Sequence, residues 1–442
     1  MNLHRLLKQR DREHRPLRVG LIGAGKFGSM YLSQVRRTPG MRLSAVADLD
    51  PQAAREALAR VGFGDGELAE VAFIDDGRRL IERPDVEIVI DATGSPAAGI
   101  AHVLACCEAR KSIVMVNVEA DALAGPLLAR KAREAGIVYS LAYGDQPALI
   151  CEMVDWARAC GLEVIAAGKG TKYLPDYHVS TPETVWAHYG ITPENARLGG
   201  LNPQMFNSFL DGTKSAIEMC AVANATGLAA PMGLGFPPCG VDDLPRVLRP
   251  QGEGGQLAHR GQVEVVSSLE RDGRPVFRDL RWGVYVVLAG GSEYVERCFQ
   301  EYGLVTDPSG RYTAMYKPYH LIGLELGISV ASVGVRGEPT GAPEAFNADV
   351  VATAKRTLRA GEILDGEGGF TVYGRLLPAA QSLREGGLPL GLAHKVRLAR
   401  DVPAGATVRW QDVEIDERLP AVCFRREMER DCAPQGAGNG QR

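Results

Sequence analysis

Three charged residues, Asp211, Lys214 and Glu218, stand in the stretch NPQMFNSFLDGTKSAIEM. Spacings of three and four put all three on one side of a helix if a single helix runs through 206–225. Their neighbours Phe206, Phe209, Leu210, Ile217 and Met219 are apolar, which predicts a buried helix whose charged groups need partners or a task. An ammonium so placed can polarise a carbonyl or pass a proton, with the carboxylates setting its charge or holding a metal. A structural salt-bridge ladder gives the same spacing. Asn207 and Ser208 complete the candidate substrate-binding set on this helix. GKGTKY adds Lys169 and Lys172, and YKPYH adds Lys317, Tyr319 and His320, groups able to receive a phosphate or carboxylate. Each lysine alone is more often a solvated surface group. Asp242 and Asp243 in CGVDDLP suit a divalent cation such as Mg or Mn and suit loop caps equally, so the sequence leaves a metal undecided. Cys239 has no evident partner base and receives no nucleophilic role.

A second constellation lies near the start. In GAGKFG, Gly23 allows the turn, Gly25 lets backbone N–H groups approach a diphosphate, and Gly28 lets a helix pack closely, with Lys26 and Phe27 between them. Such a motif means little unless a strand precedes it and a helix follows, and residues 17–22 and the apolar pattern Tyr31, Leu32, Val35 supply both. Asp48 closes the next strand at the distance where a carboxylate binds adenosine ribose hydroxyls, which favours NAD; it is also a plausible helix cap. Lys26 or Arg55 could offset its repulsion of a ribose phosphate, which leaves NADPH open. Thr93 with Gly94, and Asn117 with Glu119, follow later strands where ligands collect, and are expected on the nicotinamide side.

The elements that position these groups read as strands at 17–22, 43–47, 86–90, 112–116 and 138–141 with helices between, an alternation that predicts a mostly parallel sheet covered on both faces. The fold class is therefore α/β. Residues 1–16 form a polar leader and 17–147 a Rossmann domain. A central α+β substrate domain with a mainly antiparallel sheet follows over 148–340, within which the apolar segment 318–333 could return the chain to the first domain. Residues 349–420 read as a small β-rich domain, and the tail 427–442 as disordered. Over 442 residues, 50 Lys plus Arg nearly balance 54 Asp plus Glu, which points to a small-molecule partner and away from nucleic acid or a membrane. Nine scattered Cys and no apolar signal core suit a cytoplasmic protein.

The strings GLIGAGKFGSM, VMVNVEADALAGPLLA, AAGKGTKYLP, NPQMFNSFLDGTKSAIEM and MYKPYHLIGLEL resemble the bacterial homoserine-dehydrogenase-like oxidoreductases that carry a C-terminal SAF domain. Within them the chain looks like the 1-deoxy-D-xylulose 5-phosphate reductoisomerase-like branch. The resemblance implies NADPH, a homodimer formed through the central domain, a SAF-like fold for 349–420, and a phosphorylated sugar substrate whose phosphate would meet Lys169, Lys172, Lys214 and Lys317. It implies conversion of 1-deoxy-D-xylulose 5-phosphate to 2-C-methyl-D-erythritol 4-phosphate in isoprenoid precursor synthesis. The competing readings are an NAD(P)-dependent dehydrogenase of homoserine or a sugar acid, and a dinucleotide-sensing protein without turnover.

Overall fold

The computed structural model describes residues 2–432, which divide into two compact units, Met1–Glu152 with His320–Glu344 and Met153–Tyr319 with Ala345–Arg442.

The first unit is built on six parallel strands: β1 (Leu17–Ile22), β2 (Met41–Ala47), β3 (Ala72–Ile74), β4 (Ile88–Asp91), β5 (Ser112–Met115) and β6 (Tyr139–Leu141). Their order is β3-β2-β1-β4-β5-β6, the doubly wound arrangement of a Rossmann fold. Runs such as LRVGLI and IVID are apolar almost throughout because helices cover both faces of a parallel sheet. The chain reverses direction across the sheet between β1, which pairs with both β2 and β4, and β4, and this is where such sheets open a crevice at their carboxyl ends.

Two further segments join this core, one that composition reads as a polar leader and one whose return to this domain the sequence suggests. Residues Leu3–Arg12 form a helix whose Leu3 and Leu7, one turn apart, are buried in the same apolar cluster as Val19 and Leu21, so the start of the chain is not merely a polar leader. The returning segment contributes helix Gly327–Ala331, continued by a wider π-helical turn at Ser332–Arg336, and buries Leu326, Val330 and Val333. A Cβ on Gly334 would lie 2.6 Å from side-chain carbons of Leu17 and Ile88, so only glycine lets this turn lie against β1 and β4.

The second unit holds a four-stranded sheet of β7 (Glu163–Thr171), β8 (Gln262–Ser267), β9 (Val284–Ala289) and β10 (Tyr312–Lys317) in the order β10-β9-β7-β8. The pairings β10–β9 and β9–β7 are antiparallel and β7–β8 is parallel, so the sheet is mixed. The expected helix over 206–225 is two helices, Pro203–Leu210 and Thr213–Thr226. Gly212 breaks it with φ +87°, and the Asp211 carboxylate accepts the Thr213 N–H at 2.9 Å across the break. The premise that Asp211, Lys214 and Glu218 share one helical face therefore fails: Asp211 ends the first helix, and only Lys214 and Glu218 lie on the second.

The C-terminal strands do not stand apart. β11 (Ala348–Ala354) pairs antiparallel with β13 (Val372–Pro378), while β12 (Ile363–Asp365), β14 (His394–Leu398) and β15 (Val413–Glu414) make a small antiparallel sheet. These strands are tied to helix Thr213–Thr226. The Asn224 amide oxygen accepts the N–H groups of Asn347 and Ala348 at 2.8 and 2.9 Å, and the Gly374 N–H donates to the Thr213 hydroxyl at 2.8 Å. The last helix, Pro420–Cys432, runs through the start of the expected disordered tail, and its fully buried Arg425 donates to both carboxylate oxygens of Asp349 at 3.0 and 2.6 Å. Residues 433–442 of that expectation lie outside the described residues.

Candidate functional site

The glycine turn in the first unit is shaped by what it leaves out. Gly23 has φ +93°, and a Cβ there would sit 2.9 Å from the Ala92 carbonyl oxygen. A Cβ on Gly28 would sit 2.3 Å from the Gly23 carbonyl oxygen, so the helix approaches the turn too closely for any side chain. Around Gly25, by contrast, an added Cβ would meet nothing within 4 Å. Gly25 is also the N-cap of helix Lys26–Val35 and offers no side-chain cap, so no capping side chain covers the start of this helix. That is a cradle for an anion, favoured further by the helix dipole. Lys26 is exposed beside it, and Phe27 packs against the apolar core.

Asp48 follows β2. Its carboxylate accepts the Ala24 N–H at 2.8 Å and the Asp50 N–H at 3.1 Å, which fixes it against the glycine turn. The capping role open to it on sequence grounds belongs to Asp50, which accepts the N–H groups of Gln52 and Ala53 at 3.0 Å each. Arg55 lies over the Phe73 ring, 5.5 Å from its centroid.

Beyond β4, fully buried Asp91 accepts the Thr93 N–H and hydroxyl at 2.8 and 2.6 Å and lies 3.0 Å from His102 Nδ1. Asn117 donates to the Thr93 hydroxyl at 3.1 Å and the Ser95 carbonyl at 2.8 Å, and accepts the Ala120 N–H at 3.1 Å as the N-cap of helix Val118–Glu134. Thr93 and Asn117 thus brace the loop with their side chains. Gly94 stays exposed with open space at its Cβ position, and Glu119 is half-buried in the first turn of the next helix. Asp91 and His102 hold this loop, and sequence reasoning missed both, although Asp91 closes the apolar strand IVID level with Ala47, one residue before Asp48.

In the second unit, two ion pairs absorb three of the expected catalytic and binding groups, Lys169, Asp211 and Glu218. Lys169 on β7 pairs with Glu218, both buried. Lys355 on the segment after β11 lies 2.8 Å from the Asp211 carboxylate and donates to the carbonyls of Ser180 and Gly369 at 2.7 Å each. Burial pushes the Asp211 carboxyl up from its ordinary range, and the neighbouring ammonium opposes that rise. Lys214 is half-buried in the first turn of helix Thr213–Thr226.

Other expected contacts are spent internally. Lys172 donates to the His188 carbonyl at 2.5 Å, and burial lowers its pKa. Asn207, expected to bind substrate, is wholly buried and bonded to the Ser180 hydroxyl and carbonyl and to the Gly368 carbonyl. Ser208 donates to the Met205 carbonyl at 2.8 Å within its own helix. Lys317 is half-buried at the end of β10, Tyr319 is exposed, and His320 begins the segment that returns to the first unit. Asp242 pairs with Arg278 at 2.9 Å and Asp243 with Arg246 at 2.6 Å. Among the described residues no group of three or more His, Cys, Asp or Glu is placed to hold a metal ion. Burial pushes the Cys239 thiol up to about 12. No described helix is long and apolar enough to cross a membrane.

Residues 23–140 match the family model described as homoserine dehydrogenase, NAD binding domain, and residues 144–326 match oxidoreductase DRL, catalytic domain. The chain is 38% identical over 124 residues to the inositol 2-dehydrogenase of Acidothermus cellulolyticus, a match covering 27% of this chain and 33% of that protein. It is 35% identical over 81 residues to the inositol 2-dehydrogenase of Burkholderia cenocepacia, covering 18% and 22% respectively. The matches thus span a third or less of these relatives. A solved myo-inositol dehydrogenase from Lactobacillus casei in complex with NAD(H) and myo-inositol aligns with a TM-score of 0.29 at 19% identity, over 38% of this chain and 50% of that one.

These findings overturn the expected conversion of 1-deoxy-D-xylulose 5-phosphate: the curated relatives are inositol dehydrogenases, and the resemblance had carried a branch assignment further than the residues do. Both family matches end by residue 326, so neither supports a SAF-like assignment for 349–420. The chain is thus similar to a homoserine dehydrogenase NAD-binding domain over 23–140 and to the oxidoreductase DRL catalytic domain over 144–326.

Proposed function

We propose that this protein is an NAD(H)-dependent dehydrogenase acting on a polyol, a sugar or a sugar acid. The observation that carries the reading is the open cradle at Gly25 beside a carboxylate, Asp48, that two backbone N–H groups hold in place. The cradle takes the diphosphate, Asp48 takes the adenosine ribose hydroxyls, and the loop braced by Asp91 and Asn117 borders the nicotinamide end. When bound, the nicotinamide supplies or accepts a hydride. A negative charge at Asp48 opposes a ribose phosphate, and Arg55 lies over Phe73, so NAD(H) is preferred to NADP(H) on this reading. The relatives named inositol 2-dehydrogenase support a polyhydroxylated substrate. For the proton that accompanies the hydride the reading takes Lys214, a half-buried ammonium in the first turn of helix Thr213–Thr226.

The test is to follow reduced nicotinamide by absorbance with NAD+ and NADP+ against myo-inositol, homoserine and a panel of aldonic acids, with product identification. NAD+ reduction by a polyol or aldonic acid is the expected result. Turnover of homoserine alone, or binding of NAD(H) with no hydride transfer to any member of the panel, overturns the substrate assignment.

A further inference from the structure

Arg375 on β13 is half-buried, and among the described residues no carboxylate lies within ion-pair distance of its guanidinium. One of its amino groups donates to the Met232 carbonyl at 2.9 Å, and a Cβ on Gly233 would lie 3.3 Å from Nε, so the backbone of that loop clasps one edge of the group. The rest borders a cavity of about 190 Å³ walled by His178, Gly212, Phe236, Tyr373 and Leu376 besides Arg375 itself. A half-buried guanidinium with no carboxylate partner beside a concave space is placed to receive an anion by charge-assisted hydrogen bonds.

The other walls of the cavity carry no compensating negative charge. His178 donates from Nδ1 to the Asp211 carbonyl at 2.7 Å, and its Nε2 lies 3.0 Å from the Tyr173 hydroxyl. Burial holds this imidazole below its ordinary pKa. The nearby Asp211 carboxylate is matched by Lys355. Tyr373, stacked on His178 with ring centroids 4.4 Å apart, makes no hydrogen bond through its hydroxyl among the described residues, and is a second donor for an incoming oxygen. Gly212 has φ +87° and presents bare backbone to the same space, where the start of helix Thr213–Thr226 adds its favourable field. The loop at Gly235 and Phe236 is pinned from behind, since buried Glu264 accepts both of their N–H groups at 2.9 and 3.3 Å, which holds the wall in shape before any ligand arrives.

We propose that this cavity is a binding site for a small hydroxylated acid, with Arg375 receiving its carboxylate or phosphate and Tyr373 one of its oxygens. A volume of about 190 Å³ suits an acid group with a few further carbons. The site lies within the second unit; a hydroxylated acid is also one class of the substrate proposed above, and the binding test reads this cavity whether or not that reading holds.

The probes are inorganic phosphate, D-gluconate and, as an uncharged control, myo-inositol, each titrated calorimetrically into the full-length protein at fixed ionic strength. Saturable binding of phosphate or gluconate is expected, with gluconate tighter if the acid is a carboxylate and phosphate tighter if it is a phosphate ester. Arg375→Gln should weaken the preferred anion about tenfold or more, Arg375→Lys by less, and Tyr373→Phe by a smaller factor, in line with charge-assisted hydrogen bonding. NAD(H) affinity should be unchanged in all three, and a wild-type urea unfolding transition shows that the second unit folds in each. Absence of saturable binding by wild-type protein up to tens of millimolar overturns the proposal, as does an Arg375→Gln protein that binds NAD(H) and retains full anion affinity. Failure of the dehydrogenase assay bears on neither result.

Discussion

The Lys355 ammonium lies 2.8 Å from the Asp211 carboxylate with both side chains sealed from water, at 2% and 0% exposure. This pair fastens the segment after β11 to the break between the two helices that precede the buried core of the second unit. A buried ion pair is weak evidence of net stabilisation, but removing one partner strands the other in a medium that solvates it poorly. Lys355→Met should therefore lower unfolding free energy by about 3–5 kcal/mol, and adding Asp211→Asn should restore part of the loss. Urea unfolding followed by tryptophan fluorescence reads both. A loss below about 1 kcal/mol in the single variant, the level of an exposed pair, would show that water reaches the site.

The glycines of the turn should separate folding from binding. Gly28→Ala places a methyl carbon 2.3 Å from a backbone oxygen, and backbone cannot swing aside as a side chain can, so it should cost about 1–3 kcal/mol of stability. Gly25→Val puts its side chain into open space at an ordinary φ of −64°, so thermal stability should hold while NAD(H) affinity falls about tenfold or more through lost backbone contacts to the diphosphate. Equal effects of the two substitutions on melting temperature and on affinity would contradict this division.

The first of these sites was legible in the sequence because its parts are local: strand, glycines and helix occupy consecutive residues, and Asp48 follows the next strand. Sequence spacing also hints at Leu3 and Leu7 as one face of a helix, though their charged neighbours hide it. The break at Gly212 had its own signal, an Asp-Gly pair, which the apolar periodicity on either side outweighed. Nothing local announces that Asp211 meets Lys355, that Lys169 meets Glu218, or that Arg375 and His178 border one cavity. Those meetings are made by sheet order and by packing of the C-terminal strands on helix Thr213–Thr226, which depend on pairings far apart in the chain.

Asp48 should govern the choice of dinucleotide. Asp48→Ser removes the charge that opposes a ribose phosphate and keeps an oxygen near the Ala24 N–H, so NADH affinity should fall about tenfold while NADPH affinity rises. Fluorescence titration with both reduced nucleotides measures the ratio. An unchanged ratio would place the ribose elsewhere.

Two buried carboxyls set a pH dependence of stability. Burial raises Asp121, whose partner is the Tyr139 hydroxyl at 2.8 Å, and Glu264, which accepts backbone N–H groups, each to about 7. Unfolded, both titrate near 4, so between about pH 4 and 7 the folded chain holds protons that the unfolded chain has released. Stability contributed by these groups is then fullest at the acid end and declines as pH rises toward 7, by at most about 1.4 kcal/mol per pH unit for each group. Asp121→Asn, which removes the ionisable group of the first unit, should flatten the fall of melting temperature between pH 5 and 7 relative to the wild type. A steeper fall in the variant would reverse the assigned direction.

Lys214 is the remaining test of the proton assignment. Its neighbours on either side in sequence, Asp211 and Glu218, are each neutralised by a buried lysine, so neither is placed to take up a proton without breaking an ion pair. If Lys214 gives or takes the proton that accompanies hydride transfer, Lys214→Ala should lower kcat about a hundredfold or more. The dissociation constant for NAD(H), set in the other unit, should not change. Lys214→Arg should keep the positive charge but lose the proton transfer, because a guanidinium does not deprotonate in the working range, so it should bind the substrate and still turn over slowly. A Lys214→Arg enzyme with wild-type kcat would leave Lys214 as an electrostatic anchor and send the proton to another group.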